Sequence, residues 1–446
     1  MSRSISDLST FIEAIGEAGQ LVHVQKMVNR HHEAGEVIAA CEKNGNVAVL
    51  FHQVEGSRIP LCGNLLGSVD RVALALGAEK PRIQEVLDAA LKCPLAPETV
   101  AEGSCQEVIL RENIDLEELP IPTHAPEDAG AYITSGLVFA RSVNGGRQNI
   151  SYHRMEVKGK DRLGIFINEW RHLANLYNEA ESLGQGLPIA VVIGCDPVHY
   201  ITAGLRTDAD ELGVSGALRK SPVPVVRCTT SDILVPATSE IVIEGIILPR
   251  ERELEGPLGE FTGHYSKTWE NPLVKVTAIT HRKNPVYQTI NSASREHVLL
   301  GNVIPREPVL ADFVGYVSSG ILDVHIPPCG SGFLAVVQVN KSNPGEPKNI
   351  AMAAMVSNVN IKNVIVVDGD VDIYDMQDVL WAVSNRASPL RDFFTVPYSQ
   401  CHELDPTCDV RGVGTKLGID ATLKEESKKA RRVVYPVRDL KDYLQQ

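Results

Sequence analysis

The densest chemistry in the chain lies in ten residues, Glu251-Arg-Glu-Leu-Glu255-Gly-Pro-Leu-Gly-Glu260. Two Gly and one Pro between Glu255 and Glu260 exclude a regular helix. A rigid turn in their place can aim both carboxylates at one site. Close carboxylates raise one another's pKa, so one can keep its proton near neutral pH. An Arg beside them restores charge balance and positions the acid. Such a device suits proton delivery to carbon, although the same residues would also make a solvated acidic loop.

Three shorter groups stand upstream. In Asn149-Ile-Ser-Tyr-His-Arg154, a regular strand would turn 149, 151 and 153 to one side and 150, 152 and 154 to the other. Asn149 and Arg154 can then share a site only if the strand bends. In Trp170-Arg-His172 the His opens a helical pattern, where it can cap, ligate or simply pack. Asp208-Ala-Asp-Glu211 precedes Leu212, and capping plus the helix dipole already account for acids there. Downstream, His297 and Arg306 either read a substrate carboxylate or lie on the surface. Gly412-Val-Gly414-Thr-Lys416 lacks the spacing of a Walker loop, and neither GxSxG nor HExxH occurs.

Three stretches of different rhythm must position these groups. Ser4-Ile-Ser-Asp7 matches a capping box before a helical pattern, Leu8 to Ala18. Strands at Leu21–Val24 and Val47–Phe51 flank a helix at Glu36–Glu42, which predicts an α/β domain over 1–105. The middle, 106–304, reads as many short strands: Gly136–Val143, Asn149–Val157, Leu163–Ile167, Leu187–Gly194, Pro222–Arg227, Glu240–Leu248, Leu273–His281 and Val286–Ile290. Asn144-Gly-Gly146 predicts a hairpin, and the whole predicts a barrel or sandwich. Helices interrupt it at Leu173–Leu183 and Asp210–Arg219. From 305 to 425 the α/β rhythm returns, and 426–446 reads as a helical tail. The charged run Lys424–Arg432 reads as a solvated helix face or as an arm docking on a partner subunit.

At 446 residues the chain has room for several domains, with 43% hydrophobic and 22% charged residues as in a soluble globular protein. A net charge of −13 argues against nucleic-acid binding, though not against a small anionic substrate. The nine cysteines form no CxxC pair and read as reduced thiols of a cytoplasmic protein. Neither a signal peptide nor a membrane-length apolar run is legible.

Taken in order, these pieces resemble the UbiD family of prenylated-FMN-dependent reversible decarboxylases over residues 5 to 425. The carrying motifs are Asn149–Arg154, Arg171-His172, Glu211 with Gly216-Ala-Leu-Arg219, Glu240-Ile-Val-Ile-Glu-Gly245 and Glu255–Glu260, followed by Val367–Asp372 and Val379–Ala382. The resemblance implies an α+β multidomain architecture: an N-terminal α/β domain, a central split β-barrel like that of flavin reductases, and a C-terminal α/β oligomerisation domain. It implies that Asn149, His172 and Glu211 hold Mn²⁺ or Mg²⁺ against the cofactor phosphate, with K⁺ as a further candidate ion. Tyr152, His153, Arg154, Trp170, Arg171, His172 and Glu211 match cofactor-contacting positions. Arg154, Glu255 and Glu260 match the catalytic network, with Glu260 as proton donor. His297 and Arg306 match a substrate-facing segment of a furan-dicarboxylate subgroup.

Implied partners are a small carboxylic acid, CO₂, a flavin prenyltransferase that supplies the cofactor, and further copies of the chain as a dimer or hexamer. The favoured substrate is a furan or pyrrole carboxylate, with a phenolic or acrylic acid as the alternative. Two readings from other classes are a non-catalytic flavin-binding subunit of a carboxylase and a metal hydrolase. The sequence departs from relatives at Val356, where some carry Lys, at Arg171, where some carry Gln, and at Gly369, which interrupts an acidic pair.

Overall fold

Apolar alternation explains the largest sheet. In the strand Leu187–Ile193, Leu187, Ile189, Val191 and Ile193 enter one core, while Ala190 and Val192 enter another. A strand covered on both faces reads as a nearly unbroken apolar run. Its neighbours Leu137–Arg141 and Ile241–Glu255 divide their side chains between the same two cores. The structure, a computed structural model, describes residues 5–169, 171–205, 207–409, 411–425, 432, 433 and 435.

This central sheet has nine strands, all paired antiparallel. Its path runs Tyr132–Ile133, Met155–Gly159, Arg162–Ile165, Trp269–His281, Ile241–Glu255, Leu187–Ile193, Leu137–Arg141 and Gln148–Tyr152, with Val108–Leu110 pairing to Trp269–His281. The expected barrel is thus an open sheet: the two ends of the path, Tyr132–Ile133 and Gln148–Tyr152, do not pair with each other. One edge strand is only two residues long, too short to close a cylinder. The Asn144–Gly146 turn makes the expected hairpin, with Leu137 opposite Tyr152 and Arg141 opposite Gln148.

A four-stranded sheet forms the N-terminal part, ordered Leu21–Val24, Ala48–Phe51, Leu61–Gly63, Tyr287–Thr289. Its last strand arrives from more than two hundred residues downstream and lies parallel to Leu61–Gly63, tying this sheet to the central region. Helix Leu8–Glu17 is capped one turn later than the sequence pattern implied. Asp7 accepts from Thr10 N–H at 2.9 Å, and the Thr10 hydroxyl accepts from Asp7 N–H at 3.2 Å. Ser4 lies outside the described residues.

The C-terminal sheet is ordered Ile321–His325, Leu334–Val339, Asn363–Asp368, Val413–Asp420, Phe393–Gln400, with the three central strands parallel. Val364 and Val366 face the core that contains helix Glu346–Ser357, whereas Ile365 and Val367 face the core under helix Met376–Arg386. Val367–Asp372 is a clamp: Asp368 and Asp370 both bind Arg386. Both ends of the charged run are anchored within the chain. Lys424 bonds Asp420 O at 3.0 Å and Arg432 lies 4.2 Å over the Trp381 ring while pairing with Asp378. Those contacts differ from the expected solvated face, and the remainder of the tail lies outside the described residues.

Candidate active site

The predicted strand Asn149–Val157 is broken at His153-Arg154, between Gln148–Tyr152 and Met155–Gly159. That break removes the conflict over facing. Asn149, Ser151 and His153 share one buried side and form a chain of hydrogen bonds. Asn149 Nδ2 donates to Ser151 Oγ at 3.1 Å, and Ser151 Oγ lies 3.1 Å from His153 Nε2. His153 Nδ1 meets the Phe166 carbonyl at 2.9 Å, so this nitrogen carries the proton and Nε2 accepts from Ser151. Burial first, with Arg171 nearby, pushes His153 down to about 4. The relay fixes the Asn149 amide with its oxygen turned to His172, whose Nδ1 lies 3.2 Å away.

His172 opens helix His172–Ser182, which packs on the sheet. Glu211 opens a second helix, Glu211–Arg219, whose cap is Asp210. Gly213 and Gly216 let that helix approach the chain at Pro94-Leu95: a β-carbon on Gly216 would stand 2.8 Å from Leu95 O. Burial pushes the Glu211 carboxyl up to about 7, opposed by its own backbone N–H, by Arg147 and by Ile150 N–H. Glu211 Oε2 is buried with no hydrogen-bond partner. An amide oxygen, an imidazole and a buried carboxylate lacking one partner make a donor set suited to a hard divalent cation. Among the described residues no three His, Cys, Asp or Glu side chains group around one point, and this set contains only two of those types.

Arg154 emerges beyond the break. Its Nη2 donates to Glu255 Oε2 at 2.9 Å, its Nη1 to Glu260 Oε1, and its guanidinium lies 4.5 Å over the Phe166 ring. Glu255 ends the long strand Ile241–Glu255, which runs further than the expected Glu240–Leu248. It is fully buried and also accepts from Asn271 Nδ2 at 2.9 Å. The turn that follows is held by fixed partners. Gly256 N–H bonds Tyr132 Oη at 3.0 Å, Leu258 N–H bonds Ser266 Oγ at 3.1 Å, and Gly259 N–H bonds Asp128 Oδ1 at 3.0 Å. Gly256 has φ +96°, and a β-carbon there would lie 2.7 Å from Lys267 O. Burial raises the Glu260 carboxyl above its usual range; Arg154 lowers it and Glu255 raises it again. Two carboxylates and one guanidinium therefore share a dry site, and one proton is the natural complement.

Phe261 links this turn to the C-terminal core. Its ring centroid lies 6.2 Å from His297, 5.6 Å from Phe333 and 5.3 Å from His402. Burial, aided by Arg154, pushes His297 down to about 4; burial, with Arg306 and Arg171, does the same for His402. His402 Nδ1 accepts from Leu404 N–H at 3.1 Å, so its proton sits on Nε2. The structure thus brings His297 to the Arg154–Glu260 side, and Arg306 to the His402 side, where its Nε also donates to Gly301 O at 3.1 Å. Tyr152 spends its hydroxyl on Tyr200 O at 2.5 Å. Trp170 lies outside the described residues, and Arg171 is exposed. Val356 is 72% exposed on helix Glu346–Ser357.

Sequence reasoning missed Phe166, Asn271, Phe261 and His402. Phe261 directly follows Glu260, and that adjacency was its one signal. Phe166, Asn271 and His402 carry none, because each reaches the site only through folding.

Comparison with known proteins places this geometry in context. Residues 12–91, 98–295 and 301–421 match, respectively, the N-terminal domain, the Rift-related domain and the C-terminal domain of 3-octaprenyl-4-hydroxybenzoate carboxy-lyase, UbiD. An anhydromevalonate phosphate decarboxylase of Methanosarcina mazei is 37% identical, covering 92% of this chain and 95% of that protein. The UbiD-class enzyme HmfF from Pelotomaculum thermopropionicum, solved with FMN, superimposes with a TM-score of 0.94 at 39% identity, covering 98% of this chain and 100% of that one. The 3,4-dihydroxybenzoic acid decarboxylase AroY of Klebsiella pneumoniae gives 0.92 at 29% identity, covering 98% and 99%.

Proposed function

The chain belongs to the UbiD family of decarboxylases, and on that premise we propose that it removes, without net oxidation, the carboxylate of a heteroaromatic or α,β-unsaturated acid, furan and pyrrole carboxylates being favoured. The observation that carries this reading is the buried triad in which Arg154 holds Glu255 and Glu260 together. Loss of CO₂ leaves an electron pair on carbon. Prenylated FMN, when bound, supplies the electron sink for that pair; HmfF has been solved with FMN and, in an evolved dimeric form, with prFMN.

The chain's own residues do the rest. Glu260, whose proton affinity burial raises, gives its proton to the carbon that lost CO₂ and regains one from solvent. Arg154 orients the acid and keeps it from swinging toward Glu255. Glu255 balances the guanidinium and is itself held by Asn271. Asn149, His172 and Glu211 would hold Mn²⁺ or Mg²⁺, which would supply positive charge to offset the cofactor's phosphate. K⁺ is part of the same proposal without a residue assigned to it. Arg154 stands five positions after Asn149, so the metal end and the acid end lie no more than about 17 Å apart along the chain.

Around Phe261 stand two neutral imidazoles, with Arg306 and Arg171 close to one of them. That surround suits an acid with a second anionic or polar group, which favours a furan dicarboxylate. The phenolic alternative rests on AroY, named for 3,4-dihydroxybenzoic acid. A non-catalytic flavin-binding subunit has no use for the intact triad.

The reading includes a cytoplasmic enzyme that takes its cofactor from a flavin prenyltransferase. No helix among the described residues is long and apolar enough to cross a membrane. It also includes a homo-oligomer, dimer or hexamer, docked through helices Glu307–Gly315 and Glu346–Ser357, which expose Phe313, Met352 and Val356, with Tyr316, Val317 and Val359 just beyond them. The test is co-expression with a flavin prenyltransferase, followed by a panel of furan, pyrrole, phenolic and acrylic acids monitored for CO₂. Release of CO₂ from no acid by flavin-loaded protein overturns the reading.

A further inference from the structure

Two thiols meet at the neck of the loop that reaches the site. Cys401 follows the strand Phe393–Gln400, and its N–H donates to Gly412 O at 2.7 Å, closing the loop. Cys408 lies within that loop, with its N–H on Asp405 O at 3.1 Å. Both sulfurs crowd Gly414 on the adjoining strand Val413–Asp420. A β-carbon there would stand 2.5 Å from Cys408 Sγ and 3.2 Å from Cys401 Sγ. The missing side chain is what gives the sulfurs room to share that spot. Each thiol is within hydrogen-bond reach of the other, and both are free.

The same loop carries His402 to the site, and two further residues tie it to the rest of the chain. His402 meets the Phe261 ring edge-on, Glu403 Oε1 accepts from Asn168 Nδ2 at 3.0 Å, and Asp405 Oδ2 accepts from Lys362 Nζ at 2.6 Å. Whatever fixes the loop at its neck fixes this wall.

We propose that Cys401 and Cys408 are a redox modification site, at which a small disulfide converts the two thiols into one intramolecular disulfide that latches the 401–412 loop against the site. Cys408, the less buried of the two, attacks one sulfur of the small disulfide as the thiolate and expels one small thiolate. Cys401, deprotonated in turn, attacks the Cys408 sulfur of the mixed disulfide and expels the second. The protein loses two electrons and two protons, and the small disulfide is reduced to two thiols. Burial and the Asp405 carboxylate, 3.4 Å from Cys408 Sγ, push the Cys408 thiol up to about 12. The exchange is therefore slow at neutral pH and quickens as pH rises.

The test uses the full-length, cofactor-loaded chain with exposed Cys93 and Cys329 replaced by Ser, treated with oxidised glutathione. The expected result is a mass loss of about 2 Da, a peptide map joining residue 401 to residue 408, and slower amide exchange across 402–412. Decarboxylation should fall and return on reduction. Cys401→Ser should instead carry a glutathione adduct on Cys408 and keep its turnover. Unchanged mass, adducts alone on both cysteines, or bridges to other cysteines overturn the proposal; so does a 401–408 bridge that leaves loop exchange unaltered. The bridge and the exchange do not depend on the proposed reaction. If both appear while no acid is decarboxylated by the reduced form, the proposed function fails and the latch stands.

Discussion

Glu260→Gln keeps the shape and hydrogen bonding of the acid but has no proton to give. Flavin content should stay normal while turnover falls about 10²-fold or more. Exchange of the product's ring hydrogen with solvent deuterium should vanish, and near-normal exchange would remove Glu260 from the mechanism. The pH dependence has a definite sign. Burial holds the Glu260 pKa above that of an ordinary carboxylic acid, so the proton is present below that raised value and lost above it. Turnover should therefore hold on the acid side and fall as pH climbs through it, and a rate that rises there would contradict a general-acid role. Among the proposed metal ligands, Glu211→Gln should strip both metal and flavin from the purified protein. Ser151 accepts from the Asn149 amide and so fixes which way it turns. Ser151→Ala should weaken metal binding by about 10–100-fold, measured by titration of the metal-free protein.

At the scale of elements, the carboxylates of Glu255 and Glu260 depend on a strand and a turn with little freedom. Glu255 is the last residue of a fifteen-residue strand, and Glu260 follows a turn whose N–H groups are bound by Tyr132, Ser266 and Asp128. Gly256→Ala would place a β-carbon against Lys267 O at a positive φ. It should cost about 1–3 kcal/mol of stability, seen as a lower urea midpoint, and should misplace Glu260 enough to lower turnover as well. A variant with unchanged midpoint and rate would show that the turn tolerates the extra carbon.

Across the whole molecule, the N-terminal and central regions share two hydrophobic cores. Phe261 sits next to Glu260 yet belongs to the C-terminal core, and the strand Tyr287–Thr289 pairs with the N-terminal sheet. The outward face of the C-terminal region leaves Tyr316 91% exposed, with Phe313, Met352 and Val356 exposed on two helices that pack together, a poor surface for a lone subunit. Light scattering at micromolar concentration should give a mass above the 48.5 kDa of one chain. Tyr316→Glu combined with Val356→Glu should return it to that value, and a monomer before any substitution would refute docking through this face.

By itself the sequence determined the rhythm of three regions, because apolar periodicity and turn residues are local properties. It determined the hairpin at Asn144–Gly146 and the helices near 173–183 and 210–219, while Arg154, Glu255 and Glu260 came together as a set only through the family resemblance. The break at His153-Arg154 was legible only as a condition, since a regular strand could not have served both ends of the site. Tertiary structure alone decided that the central strands form an open sheet, because closure depends on which edges meet. It alone brought Phe166, Asn271 and His402 to Arg154, Glu255 and Phe261, from 12, 16 and 141 residues away along the chain. It also raised the pKa of the Glu260 carboxyl, because that pKa answers to burial and to neighbouring charge, and neither is written in residue order.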